Sequence, residues 1–116
     1  MITLRVWRDV DGNVVRYGLD GHSPSGERGS NIVCAAVSAL AIAAANGLEA
    51  VAGARAASTS RSGHLSCDIA WPASPDAEVV RLKAQAILET MVLGMRSIAD
   101  EHPHDLRVIE EQLTVK

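Results

Sequence analysis

Residues 2–46 read ITLRVWRDVDGNVVRYGLDGHSPSGERGSNIVCAAVSALAIAAAN, and this stretch decides the fold. Apolar and polar residues alternate over residues 2–7 and again over residues 15–19, which is the period of a β-strand. Between the two runs, Asp11-Gly12-Asn13 is a hairpin turn signal. The chain is therefore predicted to open with a β-hairpin.

A helix is predicted behind this hairpin, across residues 31–46. It follows residues 21–29, whose glycines, serines and proline are typical of a loop. Ser30 or Asn31 suits the N-cap position, because its side-chain oxygen can accept a hydrogen bond from an otherwise unpaired backbone N–H. Gly47 is a favourable residue for the C-terminal end.

The rest of the chain continues the alternation of strands and helices. Residues 51–59 are weakly strand-like, and Arg61-Ser62-Gly63 forms a turn before a clearer strand at residues 64–71. Ser74-Pro75-Asp76 opens a second helix, with Pro75 at its first position, and His102-Pro103 ends it. The apolar stripe of this helix has i, i+3, i+4 spacing and consists of Val80, Ala84, Ile87, Leu88, Met91, Met95 and Ile98.

A short final strand around Leu106 and Val108 completes the order ββαββαβ. We therefore predict an α+β fold in a single domain, residues 1–116, with two helices covering one face of a mostly antiparallel sheet. Hydrophobic residues make up 47% of the chain, and many are alanine while phenylalanine is absent. This composition favours a core of small side chains.

Charge and hydropathy exclude several classes of function. The net charge of −3 argues against non-specific nucleic-acid binding, which needs clustered cations. No basic block indicates a membrane surface, and no signal peptide is recognised at the N-terminus. The apolar run at residues 32–45 is shorter than the roughly 20 residues that cross a bilayer. We expect a cytoplasmic protein whose two cysteines are free thiols.

Cys34 is the most informative residue for chemistry. With Asn31 as N-cap, it falls in the first turn of the helix, where the partial positive charge of the helix end favours the nucleophilic thiolate. Free backbone N–H groups at the same end are able to hold an oxyanion. The alternative is a small buried hydrophobe, which Val33 and Ala35 on either side support.

His22 favours the interpretation of Cys34 as a nucleophile. It lies in the glycine-rich loop directly after a strand, and a strand–loop–helix unit can return such a loop to the helix N-terminus. His22 would then accept the thiol proton and later protonate the leaving amine. The alternative is an exposed loop histidine. Ser38, one helical turn after Cys34, lies on the same face as the thiol.

A zinc site is a further alternative, because His64 and Cys67 together with His22 and Cys34 offer four possible ligands. Residues three apart on a strand point to opposite faces, and Cys67 continues the apolar alternation of its strand. Core packing is therefore the better interpretation of Cys67. We predict no metal and no cofactor.

Gly21-His22, the glycine-rich loop and the segment Ile32-Val33-Cys34-Ala35-Ala36-Val37-Ser38-Ala39-Leu40 resemble the signature of the ribosomal-processing cysteine protease family. The spacing between His22 and Cys34 agrees with that family. Length and element order are similar too, so the resemblance extends over the whole chain.

The resemblance implies a cysteine endopeptidase that removes the N-terminal extension of a large-subunit ribosomal protein during ribosome maturation. It implies that His22 and Cys34 are the catalytic dyad, with Cys34 as nucleophile and no metal. The expected partners are a ribosomal protein precursor and a second copy in a homodimer, with no membrane and no nucleic acid.

Asn31 departs from the pattern of that family, which usually has Asp at this position. Asn can cap a helix but supplies no negative charge to His22. A second interpretation therefore stays open, namely a non-catalytic dimeric binding module that associates with the ribosome.

Overall fold

The computed structural model describes residues 1–21 and 28–113, with the side chains of residues 28–31 left aside. Its element order confirms the prediction ββαββαβ. The elements are β1 (Ile2–Arg8), β2 (Val14–Asp20), α1 (Arg28–Ala50), β3 (Arg55–Arg61), β4 (His64–Ala70), α2 (Ala77–Glu101) and β5 (Leu106–Gln112).

The five strands form one mixed sheet in the order β3-β4-β2-β1-β5. Three neighbouring pairs are antiparallel, and only β1 and β5 run parallel, so the predicted mostly antiparallel sheet is confirmed. β1 and β2 are joined by the predicted turn, where Gly12 has a φ of +86°. A parallel pair needs a crossover connection, and the chain from β4 to β5 supplies it through α2.

The sheet has one apolar and one polar face, because side chains alternate along each strand. Leu4, Tyr17 and Cys67 share the inner face through the strand register and are fully buried. Arg5 and Arg16 lie on the outer face. Both helices pack on the inner side, α1 against β3 and α2 against β5, and they contact each other.

Tyr17 ties α1 to the sheet. Its hydroxyl donates a hydrogen bond to the carbonyl oxygen of Ala41 at 2.7 Å, inside the core. Burial raises the pKa of Tyr17 far above its ordinary value, and burial likewise raises the pKa of the neighbouring Cys67 thiol. Both groups are therefore neutral parts of the core.

The bounds of α1 differ from the prediction at both ends. The helix begins at Arg28 and runs through Gly47 to Ala50. Asn31 is therefore inside the helix, and neither it nor Ser30 is the N-cap. The helix ends before Gly53, which has a φ of +75°, and the Ala54 N–H donates back to the Leu48 carbonyl at 2.9 Å.

Gly47 lies where α1 contacts α2, since a Cβ built on it would be 3.6 Å from the Ile87 side chain. A glycine inside a helix costs about 1 kcal/mol relative to alanine. Burial of the apolar neighbours Ala44 and Leu48 stabilises the helix across this position, so a single glycine does not stop it.

Helix α2 begins two residues later than expected, at Ala77, and ends as predicted. Asp76 is the N-cap residue, so Pro75 precedes the helix and does not occupy its first position. His102 is the C-cap residue, and its N–H donates to the Ile98 carbonyl at 2.8 Å.

The apolar segment of α1 is longer than the run at residues 32–45, which was expected to be too short to cross a membrane. The segment Ile32–Ala50 has 19 residues and a mean hydropathy of 1.8, which meets the length and composition of a span. A core helix of a globular protein meets the same criterion. Here Val33, Val37 and Leu48 are packed in the core beneath the helix.

Candidate active site

A cavity of about 150 Å³ opens beside Cys34, at the end of the sheet where β2 stops and β4 begins. Cys34 is half-buried, so its thiol is reachable from this cavity. The described residues that line it are Ile2, Leu19, Gly21, Cys34, Val37, Ser38, Ile42, Ser60, Arg61, Gly63, His64 and Leu65. The walls therefore combine apolar side chains with a few polar groups around a single thiol.

Cys34 occupies the second turn of α1, not the first as predicted, because the helix begins at Arg28. Only the first four N–H groups of a helix lack intrahelical partners, so the amide of Cys34 is not among them. The dipole effect also falls off within the first turn. The N-terminal end of α1 was expected to stabilise the Cys34 thiolate and an oxyanion. Because Cys34 is in the second turn, this expectation was wrong.

Ser38 lies one turn beyond Cys34 and lines the same cavity, which confirms that the two side chains share a face of α1. The face turned to the sheet carries Val33 and Val37, which are buried. Cys34 and Ser38 thus lie along the border between the core face and solvent. A hydroxyl in this position can hydrogen-bond a peptide group placed against the thiol.

His22 lies outside the described residues, so its placement relative to Cys34 stays a prediction. Gly21, directly before it in the chain, is described and lines the cavity with Cys34. Gly21 has a φ of +99°, and its N–H donates to the Gly63 carbonyl at 3.0 Å. A Cβ at this position would overlap the Met1 carbonyl oxygen.

The structure separates two of the four possible zinc ligands, as the strand period predicts. Cys67 points into the core, where it contacts the Tyr17 hydroxyl. His64 lies on the other face and pairs through Nδ1 with the Asp20 carboxylate. Among residues 1–21 and 28–113, no group of three or more His, Cys, Asp or Glu side chains is arranged to hold a metal.

The Asp20–His64 pair was missed by sequence reasoning. The two residues are 44 positions apart in the chain and meet only because β2 and β4 pair in register. No local motif indicates such a contact. The pair fixes the β4 end of the cavity wall directly beside Gly21.

A family model described as "Cysteine protease Prp" matches residues 1–107 of the chain. The ribosomal processing cysteine protease Prp of Bacillus subtilis is 29% identical over 108 residues, which cover 93% of this chain and 96% of that protein. The protein of the same name from Staphylococcus aureus is 27% identical over 110 residues, which cover 93% of this chain and 97% of its own length.

Solved structures agree with these relatives. The S. aureus ribosomal processing protease Prp with a substrate peptide has a TM-score of 0.81 and 26% identity, with 96% of this chain and 100% of that chain covered. The same protease with a covalently linked product peptide has a TM-score of 0.80 at the same identity and coverage. With the family model matching nearly its whole length, this chain belongs to the cysteine protease Prp family.

Proposed function

We propose that this protein is a cysteine endopeptidase that removes the N-terminal extension of a large-subunit ribosomal protein during ribosome maturation. The observation that carries this proposal is the half-buried Cys34 thiol in the wall of a cavity large enough to admit part of a peptide. The family membership supports the same chemistry, since its relatives are named for ribosomal processing.

In the proposed reaction, Cys34 and His22 act as a dyad. His22 takes the thiol proton, and Cys34 Sγ attacks the carbonyl carbon of the scissile peptide bond, forming a C–S bond and an oxyanion. When the oxyanion collapses, the C–N bond breaks and His22 gives the proton to the leaving amine. Water, deprotonated by His22, then hydrolyses the thioester and regenerates the thiol.

The cavity walls favour a particular orientation of the substrate. Ile2, Leu19 and Leu65 form an apolar side, which suits an apolar side chain next to the scissile bond. Ser38 and Ser60 contribute hydroxyls that can hydrogen-bond the peptide backbone. No metal or other cofactor has a part in this mechanism.

Two further features of the proposal come from the resemblance to the family. We propose a cytoplasmic location, where the ribosomal protein precursor is available, and a symmetric homodimer. Nucleic acid and membrane have no direct part in the proposed function.

Asn31 favours a second candidate, a non-catalytic dimeric binding module associated with the ribosome. Without a carboxylate at this position, His22 lacks one source of negative charge that would favour its protonated form. Such a module has no need of a reactive thiol, so iodoacetamide labelling separates the two candidates. Fast, selective alkylation of Cys34 supports the peptidase, and equal slow labelling of both cysteines supports the module.

The decisive test is incubation of the protein with the precursor of the ribosomal protein from the same genome, followed by intact mass. The unmodified chain should release a short N-terminal peptide. Cys34→Ala and His22→Ala should lose cleavage by orders of magnitude, whereas Cys67→Ser, which alters the thiol in the core, should keep it. Cleavage by a well-folded Cys34→Ala protein would contradict the proposal.

A further inference from the structure

Strand β3 forms one edge of the sheet, since among the described strands it pairs only with β4. An exposed edge offers a row of unpaired backbone groups to another chain, and natural proteins protect such edges with charges, prolines, bulges or a very short strand. β3 has seven residues in a constant register with β4, and only alanine, serine and threonine stand between Arg55 and Arg61. Its middle part is flat and uncharged, so this edge lacks the usual protection.

The strand register identifies which backbone groups of β3 point to the open edge. Within a sheet, a residue of an antiparallel strand directs its N–H and C=O to one neighbouring strand, and the next residue directs them to the other. The Gly21 N–H donates to the Gly63 carbonyl at 3.0 Å, so odd-numbered residues of β4 bond to β2. Even-numbered residues of β4 bond to β3, where their partners are odd-numbered. The remaining backbone groups of β3, those of Ala56, Ser58 and Ser60, therefore point away from the sheet, and within residues 1–21 and 28–113 they make no backbone hydrogen bond to a loop or a helix.

The helix layer leaves the inner side of this edge open. The register places Ser58 opposite Cys67 and Ser60 opposite Leu65, so both serines lie on the face of the sheet that the helices cover. Both are nevertheless exposed, whereas Ala56 on the same face packs against the core. The cover of α1 over β3 therefore ends before Ser58, and a gap separates the helix from the C-terminal half of the strand.

This gap leads into the Cys34 cavity. Ser60 lines the cavity together with Cys34, Ser38 and Ile42 of α1. The three α1 residues are spaced by four, so they form one line along the helix. We call the space between this line and the β3 edge the β3 cleft. From Ala56 to Ser60 its strand side is about 13 Å long, which is the span of roughly four residues of an extended peptide.

We propose that β3 binds the substrate peptide as a sixth strand of the sheet, so that residues beside the scissile bond pair with the backbone of Ala56, Ser58 and Ser60. This inference rests on the proposed function and specifies how the peptide is held there. In such strand addition, backbone hydrogen bonds provide affinity and pockets for alternate side chains provide specificity. The scissile bond then lies at the Ser60 end of the strand, next to the Cys34 thiol.

Strand addition explains two properties of β3. Its small side chains leave the β3 cleft open, whereas large ones at Ser58 and Ser60 would fill it. Thr59 is the only β-branched residue of the strand, and it has no aromatic residue, so its own side chains stabilise strand pairing weakly. Because the pairing uses backbone groups that a folded segment has already bonded, it selects an extended and unfolded part of the ribosomal protein.

Amide hydrogen exchange measured by NMR tests the inference on the Cys34→Ala protein, which should bind without cutting. The probe is a synthetic peptide that spans the junction between the N-terminal extension and the mature ribosomal protein. With the peptide bound, the N–H groups of Ala56, Ser58 and Ser60 should exchange at least about tenfold more slowly, the effect of one added hydrogen bond, whereas the Thr59 N–H is bonded to β4 in both states. Unchanged exchange at the three residues in the complex overturns the inference. Protection that rises with the concentration of the free protein assigns the edge to a second copy and also overturns it.

A proline variant gives an independent measurement. Ser58→Pro removes an outward N–H and no hydrogen bond to β4, a change that edge strands tolerate, and it should raise the KM for precursor cleavage by about tenfold. Thr59→Ala changes the neighbouring exposed side chain and keeps every outward N–H, so this matched control should keep the wild-type KM. Alkylation of Cys34 by iodoacetamide and the circular dichroism spectrum should be unchanged in both variants. Cleavage by Ser58→Pro with the wild-type KM overturns strand addition alone, whereas a wild type that neither binds nor cleaves the precursor overturns the proposed function with it.

Discussion

The two cysteines show that burial, and not residue type, decides which thiol is available for chemistry. The two cysteines are indistinguishable by type, yet Cys34 borders a cavity and Cys67 is fully enclosed next to Tyr17. Strand alternation predicted the burial of Cys67, because it lies in phase with Ile69. The position of Cys34 in the second turn was not predicted, because the residues before Asn31 carry no strong helix-start signal other than Ser30.

Gly21 combines a left-handed φ with a close contact to the Met1 backbone, so its replacement by alanine should cost stability. Gly21→Ala should destabilise the fold by about 2 kcal/mol or more, because a left-handed φ costs about 1–3 kcal/mol in a non-glycine residue and the new Cβ would overlap the Met1 carbonyl oxygen. Gly12→Ala is the matched control, since Gly12 has a similar φ and nothing within 4 Å of a Cβ. Urea unfolding measures both.

The difference between the two variants isolates the close contact with Met1. Equal free energies of unfolding for Gly21→Ala and Gly12→Ala would mean that the N-terminal backbone moves away without cost. In that case the Gly21 wall of the cavity is not fixed by Met1.

Helices and strands were predicted in the right order, and the errors are confined to their ends. The hydrophobic period identifies an element reliably, whereas its ends depend on contacts that no local pattern contains. In α1 the contact is with α2, where Gly47 lies against Ile87 and Gly94 lies against Leu40. The short turns between β1 and β2 and between β3 and β4 predict that these pairs are antiparallel. No sequence pattern predicts that β5 lies beside β1.

The two glycines inside the helices, Gly47 and Gly94, differ in the space around them, so alanine should affect stability differently at each position. Gly47→Ala should raise the free energy of unfolding by about 0.5–1 kcal/mol, because its Cβ would contact Ile87 at 3.6 Å, an ordinary distance. Gly94→Ala should gain less or lose stability, since its Cβ would be 3.2 Å from Leu40 Cδ1. Thermal unfolding of the two variants compares them directly, and a larger gain for Gly94→Ala would refute this account of the helix contact.

At the scale of the whole molecule, a network of charges joins the first strand, the second helix and the last strand. Arg8 in β1 pairs with Glu89 of α2 at 2.5 Å and with Glu110 of β5 at 2.5 Å, and Arg96 of α2 also pairs with Glu110. No sequence pattern indicates this network, because Arg8 and Glu110 are 102 positions apart. It depends on the parallel pairing of β1 and β5.

This network predicts how stability depends on pH. Arg8 and Arg96 lower the pKa of Glu110 in the folded state. A carboxyl with a depressed folded pKa contributes stability above its unfolded pKa of about 4.3, and this contribution is lost as pH falls through the folded pKa. Glu110→Gln should therefore be less stable than the wild type at pH 7, and the difference should shrink toward pH 3.

Urea unfolding at several pH values measures this effect. Glu111→Gln is a suitable control, because Glu111 pairs with the half-exposed Arg5, and exposed pairs contribute little. A difference between wild type and Glu110→Gln that does not change with pH would exclude an electrostatic origin.

The position of Met1 has a practical consequence for anyone who makes fusions of this protein. Ile2 lines the Cys34 cavity, and the Met1 carbonyl lies against Gly21, so residues added before Met1 would emerge at the mouth of the cavity. Since β5 runs parallel to β1, Gln112 lies beside Arg8 at the far end of the sheet. An affinity tag attached at the C-terminus therefore leaves the Cys34 thiol accessible, whereas an N-terminal tag is positioned to obstruct it.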